Sequence, residues 1–364
     1  MEKNNQNKFW QGKNVLLTGH TGFKGSWMSL WLLELGANVS GYALKPSTTP
    51  SLFDEAKLSS RMNSRIGDIR DLESTQKMAK ELKPDIIIHM AAQPLVRYSY
   101  DAPVETYMTN VMGTVHVFEA ARATGSVQTI LNVTSDKCYE NIETHRGYTE
   151  ADPMGGSDPY SNSKGCAELV TSAYRKSFFQ KAGIGLASGR AGNVIGGGDW
   201  AQDRLVPDIV RSVLNKKPLT IRNPHSLRPW QHVLEPLNGY LTLAQKLFED
   251  GKTYSESFNF GPAVSECCNV ENVIELMNGH WENLIKYEIV QTEDQHHEAK
   301  LLTLDCTKAK KVLNWEPKWS TSIALEKTVI WNKHRLDNQK IDDVCLRQIR
   351  EYSAAMPLNY KPIS

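Results

Sequence analysis

Residues 15–25 read VLLTGHTGFKG, a short apolar run that leads into a turn with three glycines. The apolar run predicts a buried strand, and the apolar residues that follow, through Leu35, predict a helix. Glycines at every third position let the backbone approach a pyrophosphate, which would lie at the N-terminus of that helix, against the positive end of its dipole. Strand, glycine-rich turn and helix together predict a dinucleotide site. Its predicted contacts in this turn are Gly19, Gly22, Phe23, Lys24 and Gly25.

Strands and helices alternate along the first half of the chain. The isoleucine run at 86–88 is typical of a strand buried on both faces, and the apolar segments 38–43 and 130–133 fit further strands. Helical periodicity appears between them, for example at 110–123, so the sequence predicts an α/β fold with a Rossmann-like, doubly wound parallel sheet. Beyond Asn193 the segments become shorter, which indicates a smaller, interleaved α/β C-terminal lobe.

The pattern predicts where the chain divides. Residues 1–190 would form the dinucleotide-binding domain, with segments of about 233–255 and 320–340 returning to it, residues 191–232 and 256–319 a second lobe, and residues 341–364 a C-terminal segment. The last strand of the sheet is predicted at residues 184–188, and the strand at 258–260 is assigned to the second lobe.

Further cofactor contacts are predicted at the ends of the third and fourth strands. Asp68, followed by Ile69, is a candidate to meet an adenine amino group, although an Asp that caps a helix fits the same position. Small residues at Ala91 and Ala92, followed by Gln93, would let a flat cofactor pass close to the backbone. The acidic residue that often binds the ribose diol after the second strand is absent, so the residues themselves leave NAD and NADP open.

A phenol and an amine follow the fifth strand. The segment from Asp158 to Lys164 reads DPYSNSK and predicts a helix start, with Ser157 or Asp158 as N-cap and Pro159 in the first turn. Tyr160 and Lys164 are four residues apart and would share one helix face. A lysine beside a phenol favours the phenolate, so we expect a lowered Tyr160 pKa that suits a general base. An ordinary helix with an exposed Tyr and Lys is the alternative for this pair alone.

Composition excludes several other classes of protein. Forty-two basic and forty-one acidic residues are interspersed, giving a net charge of +1, and no basic stripe indicates nucleic acid. Residues 1–13 lack the apolar core of a signal peptide, and the apolar helix at 27–35 is too short to span a bilayer. Six cysteines show no CxxC spacing. We therefore expect a cytoplasmic protein with reduced thiols, without a metal site and without a membrane or nucleic-acid partner.

The motifs together resemble a known family over nearly the whole chain. Glycines spaced as GxxGxxG at 19–25, Tyr160-x-x-x-Lys164 and a Ser at 135 resemble the extended short-chain dehydrogenase/reductase family. Within it, the strings HTGFKGSW (20–27), TSDK (134–137) and GNVIGGGDW (192–200) are similar to the CDP-glucose branch of the nucleotide-sugar 4,6-dehydratases. The resemblance implies NAD as a regenerated cofactor, CDP-glucose as the small-molecule substrate, and a role in deoxysugar biosynthesis, including that of lipopolysaccharide O-antigen.

The resemblance also implies roles for the reactive residues. Tyr160, with Lys164, would take the proton from the sugar 4-hydroxyl, Ser135 would hydrogen-bond the 4-oxygen, and Asp136 would protonate the departing 6-hydroxyl. Relatives that act on dTDP-glucose carry a Glu after this Asp for abstraction of the C5 proton, whereas Lys137 stands here. Its amine would act as the base if its pKa is lowered, or its ammonium would stabilise the enolate while another group moves the proton.

Substrate contacts and assembly follow from the same resemblance. The predicted substrate-binding residues are Thr134, Asn193, Arg204, Arg222 and Arg228. Helices near 104–124 and 160–181 would pack into a four-helix bundle in a homodimer, and a homotetramer is also consistent. The alternatives are a 4,6-dehydratase of another nucleotide glucose, a nucleotide-sugar 4-epimerase, which needs no acid at C6, and a non-catalytic NAD-sensing protein, which would not need the Tyr–Lys pair.

Overall fold

A seven-stranded parallel sheet forms the centre of the protein. The computed structural model describes residues 8–144, 146–221, 223–290 and 301–358. Its main sheet has the strand order β11-β6-β5-β4-β1-β2-β3, built from β1 (Asn14–Thr18), β2 (Asn38–Ala43), β3 (Asn63–Ile66), β4 (Ile86–His89), β5 (Thr129–Val133), β6 (Gly185–Ala191) and β11 (Ser257–Phe260). Every neighbouring pair is parallel. The order reverses between β1 and β4, as in Rossmann-type folds, so the prediction of a doubly wound sheet is confirmed.

Short strands and thirteen helices complete the part of the chain that the structure describes. The short strands pair two by two and are β7 (Val194–Ile195) with β10 (Gln231–His232), β9 (Leu227–Arg228) with β12 (Cys268–Asn269), and β8 (Leu219–Ile221) with β13 (Tyr287–Ile289). The α-helices are α1 (Phe23–Glu34), α2 (Leu52–Glu55), α3 (Leu72–Leu82), α4 (Val96–Asp101), α5 (Pro103–Tyr107), α6 (Gly113–Thr124), α7 (Pro159–Tyr174), α8 (Leu205–Asn215), α9 (Leu234–Glu249), α10 (Gly251–Tyr254), α11 (Val270–His280), α12 (Thr321–Leu336) and α13 (Ile341–Ala354). Single π-turns lie at Met108–Met112, Arg175–Phe179 and Ala309–Leu313.

Alternate residues of each central strand face opposite layers of helices. Ile86 and Ile88 belong to the core cluster that includes α1 and α9, whereas Ile87 belongs to the cluster that includes α6. All three side chains are fully buried, because helices cover both faces of a parallel sheet. The prediction from the isoleucine run is therefore confirmed. No helix in the described ranges is long and apolar enough to cross a membrane.

One strand lies where the sequence did not place it. β11, which the sequence analysis assigned to the second lobe, extends the main sheet by pairing with β6, from Ser257 opposite Ser188 to Phe260 opposite Ala191. The strand itself was predicted, with the polar Asn259 between two phenylalanines, but its place in the main sheet was not. The Asn259 amide donates hydrogen bonds to the backbone oxygens of Tyr148 and Asp305, at 2.8 and 3.1 Å, which makes its full burial tolerable.

The buried carboxylate of Glu235 links helix α9, which packs on the main sheet, to the C-terminal helix α13. Glu235 in α9 is fully buried and accepts hydrogen bonds from the backbone N–H groups of Lys318 and Trp319, at 3.0 and 2.7 Å. Its second oxygen accepts the Tyr352 hydroxyl of α13 at 2.6 Å. Burial raises the pKa of Glu235 from 4.5 to about 7, although these hydrogen bonds favour the charged form.

Stability should therefore fall as pH rises through this window. The folded protein holds the Glu235 proton up to about pH 7, whereas the unfolded chain loses it near pH 4.5, so deprotonation favours unfolding between these values. In Glu235→Gln, which cannot ionise, the loss of stability across the window should shrink by about 3 kcal/mol. Urea unfolding of both proteins at the two ends of the window measures the difference. An equal pH dependence in both proteins would contradict the raised pKa.

Candidate active site

A cleft of about 960 Å³ opens at the carboxyl edge of the sheet, where ligands bind in open α/β folds. It brings together residues from the ends of β1, β4, β5 and β6 that are far apart in the sequence. The predicted residues that line it are Gly19, Gly22, Phe23, Lys24, Gly25, Asp68, Ile69, Ala91, Ala92, Thr134, Ser135, Asp136, Lys137, Tyr160, Lys164, Asn193, Arg204 and Arg228. Arg222 lies outside the described residues.

Gln93 is the predicted cofactor contact that the structure places elsewhere. Its side chain is buried below the cleft, where its amide nitrogen donates to the Leu95 backbone oxygen at 3.1 Å and to the Thr106 hydroxyl at 2.9 Å. Its side-chain oxygen accepts from the Leu95 N–H. The loop after β4 turns inward at this residue and uses its polar atoms to hold its own shape, and a contact between Gln93 and the cofactor stays a prediction.

The glycine turn packs so closely against the backbone that side chains at two of its glycines would clash. Gly19 has a φ of 74°, and a Cβ there would lie 2.7 Å from the Ala91 backbone nitrogen. A Cβ at Gly25 would lie 2.1 Å from the Gly19 oxygen. Gly22, at the N-cap of α1, has no side chain to occupy the first N–H groups of the helix. The turn therefore fits the pyrophosphate of a dinucleotide, held by backbone N–H groups and the helix dipole.

The far end of the cleft would hold the adenosine. Asp68 lines this wall, and its carboxylate accepts the Arg70 backbone N–H at 2.9 Å and the Arg70 guanidinium at 2.6 Å. Burial opposes ionisation, but the hydrogen bonds from Arg70 hold the pKa of Asp68 below its ordinary value. A carboxylate has further lone pairs, so Asp68 can still accept an amino group. Lys45 follows β2, is exposed and also lines the cleft.

Two segments of the chain form the reactive group, which consists of Ser135, Asp136, Tyr160 and Lys164. Ser135 and Asp136 lie at the end of β5, where a short 3₁₀ turn spans Asp136–Cys138. Tyr160 and Lys164 lie one turn apart at the start of α7, which Asp158 caps by accepting the Ser161 N–H at 2.9 Å. The prediction of this helix start is confirmed, with Asp158 as the N-cap.

Burial changes the acidity of the Tyr–Lys pair. The pKa of Tyr160 is raised to about 12 by burial, with a partial offset from a hydrogen bond to Ser135. The expectation of a lowered Tyr160 pKa is therefore wrong for the protein alone, because desolvation of the phenolate outweighs favourable neighbours. Burial also lowers the pKa of Lys164 to about 8, while Cys138 and Glu168 oppose that shift.

Asp136 has the environment of a general acid. It is 2% exposed, and burial raises its pKa, while Lys137, Ser135 and Arg228 favour the charged form. Its Oδ1 accepts the Ser135 hydroxyl at 3.0 Å, whereas its Oδ2 is buried without a hydrogen-bond partner among the described residues. A carboxyl group that is reluctant to ionise holds a proton for a leaving group more readily than an exposed one.

A buried ion pair under the reactive group was not predicted. Glu168 in α7 is 4% exposed and accepts a hydrogen bond from the Arg190 guanidinium of β6 at 2.8 Å. Glu168 also accepts the Thr134 hydroxyl, which ties the end of β5 to the helix that carries Tyr160. The sequence did contain a signal, because Glu168 continues the four-residue spacing of Tyr160 and Lys164 along one helix face.

A buried amide also joins the two sides of the cleft floor. Asn110, in the π-turn before α6, donates hydrogen bonds to the Gln93 backbone oxygen at 3.0 Å and to the Ser163 hydroxyl at 2.9 Å. Ser163 in turn donates to the backbone oxygen of Tyr160 at 2.6 Å. No sequence pattern indicated this residue, because the π-turn interrupts the helix that the periodicity predicted over 110–123.

Lys24 places a cation where several local effects oppose it. It lies in the first turn of α1, where the helix dipole disfavours positive charge, although the Tyr240 ring, whose centroid is 5.6 Å from its Nζ, favours it. Burial lowers the pKa of Lys24 to about 7, and the neighbouring Lys164 and Arg204 lower it further, against the effect of Asp136. Lys24 therefore lies in the glycine turn and is close enough to Lys164 and Asp136 for their charges to affect its pKa.

Polar groups suitable for a diphosphate lie on the other wall. Arg204, at the N-cap of α8, pairs with the buried Asp199 at 3.0 Å. Arg228 in β9 is 9% exposed, and it is close enough to Asp136 to favour that carboxylate. Asn193 follows β6 and lines the same cleft. Guanidinium groups bind phosphate oxygens through paired hydrogen bonds, so this wall can receive a nucleotide diphosphate.

Apolar side chains are exposed on the helices beside the cleft. They lie on α5, on the π-turn that follows it, on α7 and on the π-turn after α7. The residues are Val104, Tyr107, Met108, Met112, Leu169 and Phe178, of which Val104 and Leu169 are 75% and 60% exposed. Several large apolar side chains exposed on neighbouring helices are typical of a protein–protein contact.

Known proteins resemble the chain along most of its length. A family model for GDP-mannose 4,6 dehydratase matches residues 16–328. A relative from Salmonella typhimurium, named CDP-glucose 4,6-dehydratase, is 53% identical over 352 residues, which cover 95% of this chain and 98% of the relative. The dTDP-glucose 4,6-dehydratase of Haemophilus influenzae is 25% identical over 342 residues, which cover 87% of this chain and 97% of the relative.

Solved structures share the fold. A dTDP-glucose 4,6-dehydratase from Bacillus anthracis, in complex with NAD, has a TM-score of 0.73 and 22% identity, and the match covers 90% of this chain and 98% of that one. A UDP-glucose 4-epimerase from Thermotoga maritima, solved with UDP-glucose, has a TM-score of 0.76 and 22% identity, and the match covers 89% of this chain and 99% of that one. Dehydratases and epimerases thus have the same architecture, and the residues of the cleft must distinguish them.

Proposed function

Because the chain belongs to the GDP-mannose 4,6-dehydratase family, we propose that it dehydrates a nucleotide sugar, converting CDP-glucose to CDP-4-keto-6-deoxyglucose with NAD as a regenerated cofactor. The 53% identity to the CDP-glucose 4,6-dehydratase of Salmonella typhimurium carries the choice of substrate. The reaction class is supported by Asp136, because a 4-epimerase needs no acid beside C6. The product would enter deoxysugar biosynthesis.

The cofactor site fits this proposal. When bound, NAD supplies a hydride acceptor for C4 of the sugar and a hydride donor for C6. The turn at Gly19, Gly22 and Gly25 would hold its pyrophosphate through backbone N–H groups, and a side chain at Gly19 or Gly25 would clash with the backbone. Asp68 would receive the adenine amino group. Lys164, buried one helical turn beyond Tyr160, would favour the phenolate form of Tyr160 once the cleft is filled and water is excluded.

Proton transfers are then assigned to residues of the chain. The Tyr160 oxygen takes the proton of the 4-hydroxyl, and Ser135 orients the 4-oxygen. The resulting ketone acidifies the C5 hydrogen, and Asp136 gives its proton to the departing 6-hydroxyl. Lys137, which lines the cleft beside Asp136, acts at C5 of the sugar. Its amine takes the C5 proton and returns it, or its ammonium stabilises the enolate while another group moves the proton.

We assign substrate binding to the wall opposite the glycine turn. Arg204 and Arg228 would bind the diphosphate, Asn193 would bind phosphate or hydroxyl oxygens, and Thr134 would support the sugar end of the site. Arg222 keeps its proposed role at the diphosphate. The second lobe, at residues 191–232 and 256–319, would supply most of these contacts, apart from β11, which belongs to the main sheet.

We also propose that the protein is at least a homodimer in the cytoplasm. The exposed apolar side chains on α5, α7 and the adjacent π-turns, including Val104 and Leu169, support a helical interface between two copies. Light scattering should give a mass of at least twice the 41.0 kDa of one chain.

A substrate comparison tests the function. Purified protein supplied with NAD should turn over CDP-glucose faster than dTDP-, UDP- or GDP-glucose and form a keto sugar that absorbs strongly in base and carries a 6-methyl group by NMR. Tyr160→Phe, which removes one oxygen atom, serves as the control without turnover. Formation of the CDP-galactose epimer without a methyl group would establish a 4-epimerase instead. Bound NAD with no sugar-dependent change would favour a non-catalytic protein.

A further inference from the structure

Asp199 is a buried carboxylate in the glycine-rich turn between β7 and α8. It is 8% exposed and lines the cleft. One of its oxygens accepts the backbone N–H of Ala201 at 3.2 Å, and the other accepts the guanidinium of Arg204 at 3.0 Å. The two oxygens therefore have different partners, one within the turn itself and one on the side chain that is assigned to the diphosphate.

Two helices hold the turn that carries Asp199. The backbone oxygen of Gly197 accepts the indole N–H of Trp27 in α1 at 2.9 Å. Arg211 in α8 donates a hydrogen bond to the backbone oxygen of Ala201 at 3.0 Å. Because the carboxylate is buried in a turn that is held on both sides of it, Asp199 is a rigid acceptor.

Arg204 has less to hold it in place. Its side chain is 34% exposed, and it lies at the N-cap of α8 without a capping hydrogen bond. Within the described ranges, Asp199 is the only residue to which its guanidinium donates a hydrogen bond. A guanidinium has five N–H groups, so this contact leaves others available for phosphate oxygens.

The guanidinium of Arg204 also lies close to the reactive group. Burial has the largest effect on the pKa of Tyr160 and on that of Lys24, and the positive charge of Arg204 lowers both. The diphosphate of a nucleotide sugar is joined to C1 of the sugar, so it must lie near a reactive group that acts at C4 to C6. Arg204 therefore lies at the depth in the cleft where a diphosphate is expected.

We propose that Asp199 is a positioning residue, which orients the Arg204 guanidinium so that its remaining N–H groups bind the diphosphate of the substrate. A long side chain loses rotational freedom when it binds a ligand, and a partner that orients it beforehand reduces that cost. The role rests on the proposed function, in which Arg204 binds the diphosphate. It adds Asp199, which acts only through Arg204.

Asparagine at position 199 separates the two contacts of the carboxylate. Asp199→Asn has one acceptor oxygen, which can keep the Ala201 N–H, and its NH₂ group then faces another donor at Arg204. By calorimetry, the NAD-loaded variant should bind CDP about 10–100-fold more weakly, the usual contribution of a hydrogen bond to a charged group. In initial rates, the KM for CDP-glucose should rise by a similar factor while kcat changes little, because the diphosphate is bound alike before and during the reaction.

A double-mutant cycle with Arg204→Met distinguishes orientation from a structural role. Arg204→Met removes the guanidinium and should weaken CDP binding at least as much as Asp199→Asn does. If Asp199 acts through Arg204, the double variant binds CDP no more weakly than Arg204→Met alone, because the effects of coupled residues do not add. Asp342→Asn is the matched control, since it breaks a 3.0 Å ion pair with Arg61 outside the cleft, and its affinity for CDP should be unchanged.

Two results would overturn the inference. Asp199→Asn that binds CDP as tightly as wild type would show that Arg204 needs no orientation, and an equal loss of affinity with and without Arg204 would show that Asp199 acts through the turn. Asp199→Ser, whose hydroxyl can still accept the Ala201 N–H, replaces Asp199→Asn in the cycle if the latter does not fold. Wild-type protein that binds CDP but does not convert CDP-glucose would contradict the proposed reaction alone, whereas wild-type protein that does not bind CDP would contradict both.

Discussion

Replacement of Asp136 by asparagine should stop the loss of water and leave the oxidation at C4 in place. Asparagine has the same shape but holds no acidic proton for the departing 6-hydroxyl, so dehydration should slow by about 10²–10⁴-fold. The Tyr160–Lys164 pair is unchanged, so the cofactor should become reduced and remain so. Near-ultraviolet absorbance of the reduced cofactor measures the first step, and the NMR signal of the 6-methyl group measures the completed reaction.

A second acidic residue near the cleft supplies the control. Asp203 lines the cleft but is exposed, and its backbone φ of 57° suits asparagine as well as aspartate. Asp203→Asn makes the same substitution at a position that is not in contact with Ser135 or Tyr160, and it should yield the 6-methyl product at close to the wild-type rate. An Asp136→Asn protein that forms this product at an undiminished rate would show that another group protonates the 6-hydroxyl.

Replacement of Glu168 by leucine should destabilise the protein severely. The change leaves the Arg190 guanidinium, 4% exposed, without its carboxylate, and it leaves the Thr134 hydroxyl without its acceptor. Breaking a buried ion pair in this way costs about 3–5 kcal/mol, because an uncompensated charge remains buried. Chemical unfolding followed by tryptophan fluorescence should show the loss as a lower midpoint.

Two further variants separate the buried pair from other effects. Glu168→Leu combined with Arg190→Met removes both charges and should recover most of the lost stability, because no unpaired ion then remains. Glu81→Ala removes an exposed ion pair with Arg65 and should leave the midpoint of unfolding nearly unchanged. If Glu168→Leu is as stable as wild type, the pair contributes little to the fold, and its role in holding Thr134 would also be in doubt.

The elements around the site were predictable where a local pattern specifies them. The strand, glycine turn and helix at 15–34 followed from an apolar run and from the close backbone approach that only glycine permits at Gly19 and Gly25. The start of α7 followed from Asp158 and Pro159, and the shared face of Tyr160 and Lys164 followed from helical spacing. Resemblance to a family, rather than physics, supplied the base of the nucleotide and the role of Asp136.

Other parts of the site depended on contacts between distant segments. β11 was predicted as a strand but not as part of the main sheet, where its buried Asn259 finds acceptors at Tyr148 and Asp305, more than forty residues away on either side. The inward turn of Gln93 and the bridging role of Asn110 depend on each other, since the Asn110 oxygen accepts the Gln93 N–H at 2.8 Å. The pattern along the sequence does not show which buried polar groups from distant segments will form hydrogen bonds with each other.

The sequence by itself determined six of the seven strands of the main sheet, the glycine turn and the helix face that Tyr160 and Lys164 share, because strand alternation, helical period and glycine geometry are local properties of the chain. The tertiary structure decided the chemical state of the reactive groups. Neighbours in the sequence suggested a lowered Tyr160 pKa, but burial by the whole fold raises it to about 12, and burial likewise raises the pKa of Asp136. The free energy of an ionised group depends on its burial and on the charges and dipoles around it. That environment forms only when distant segments of the chain have packed together.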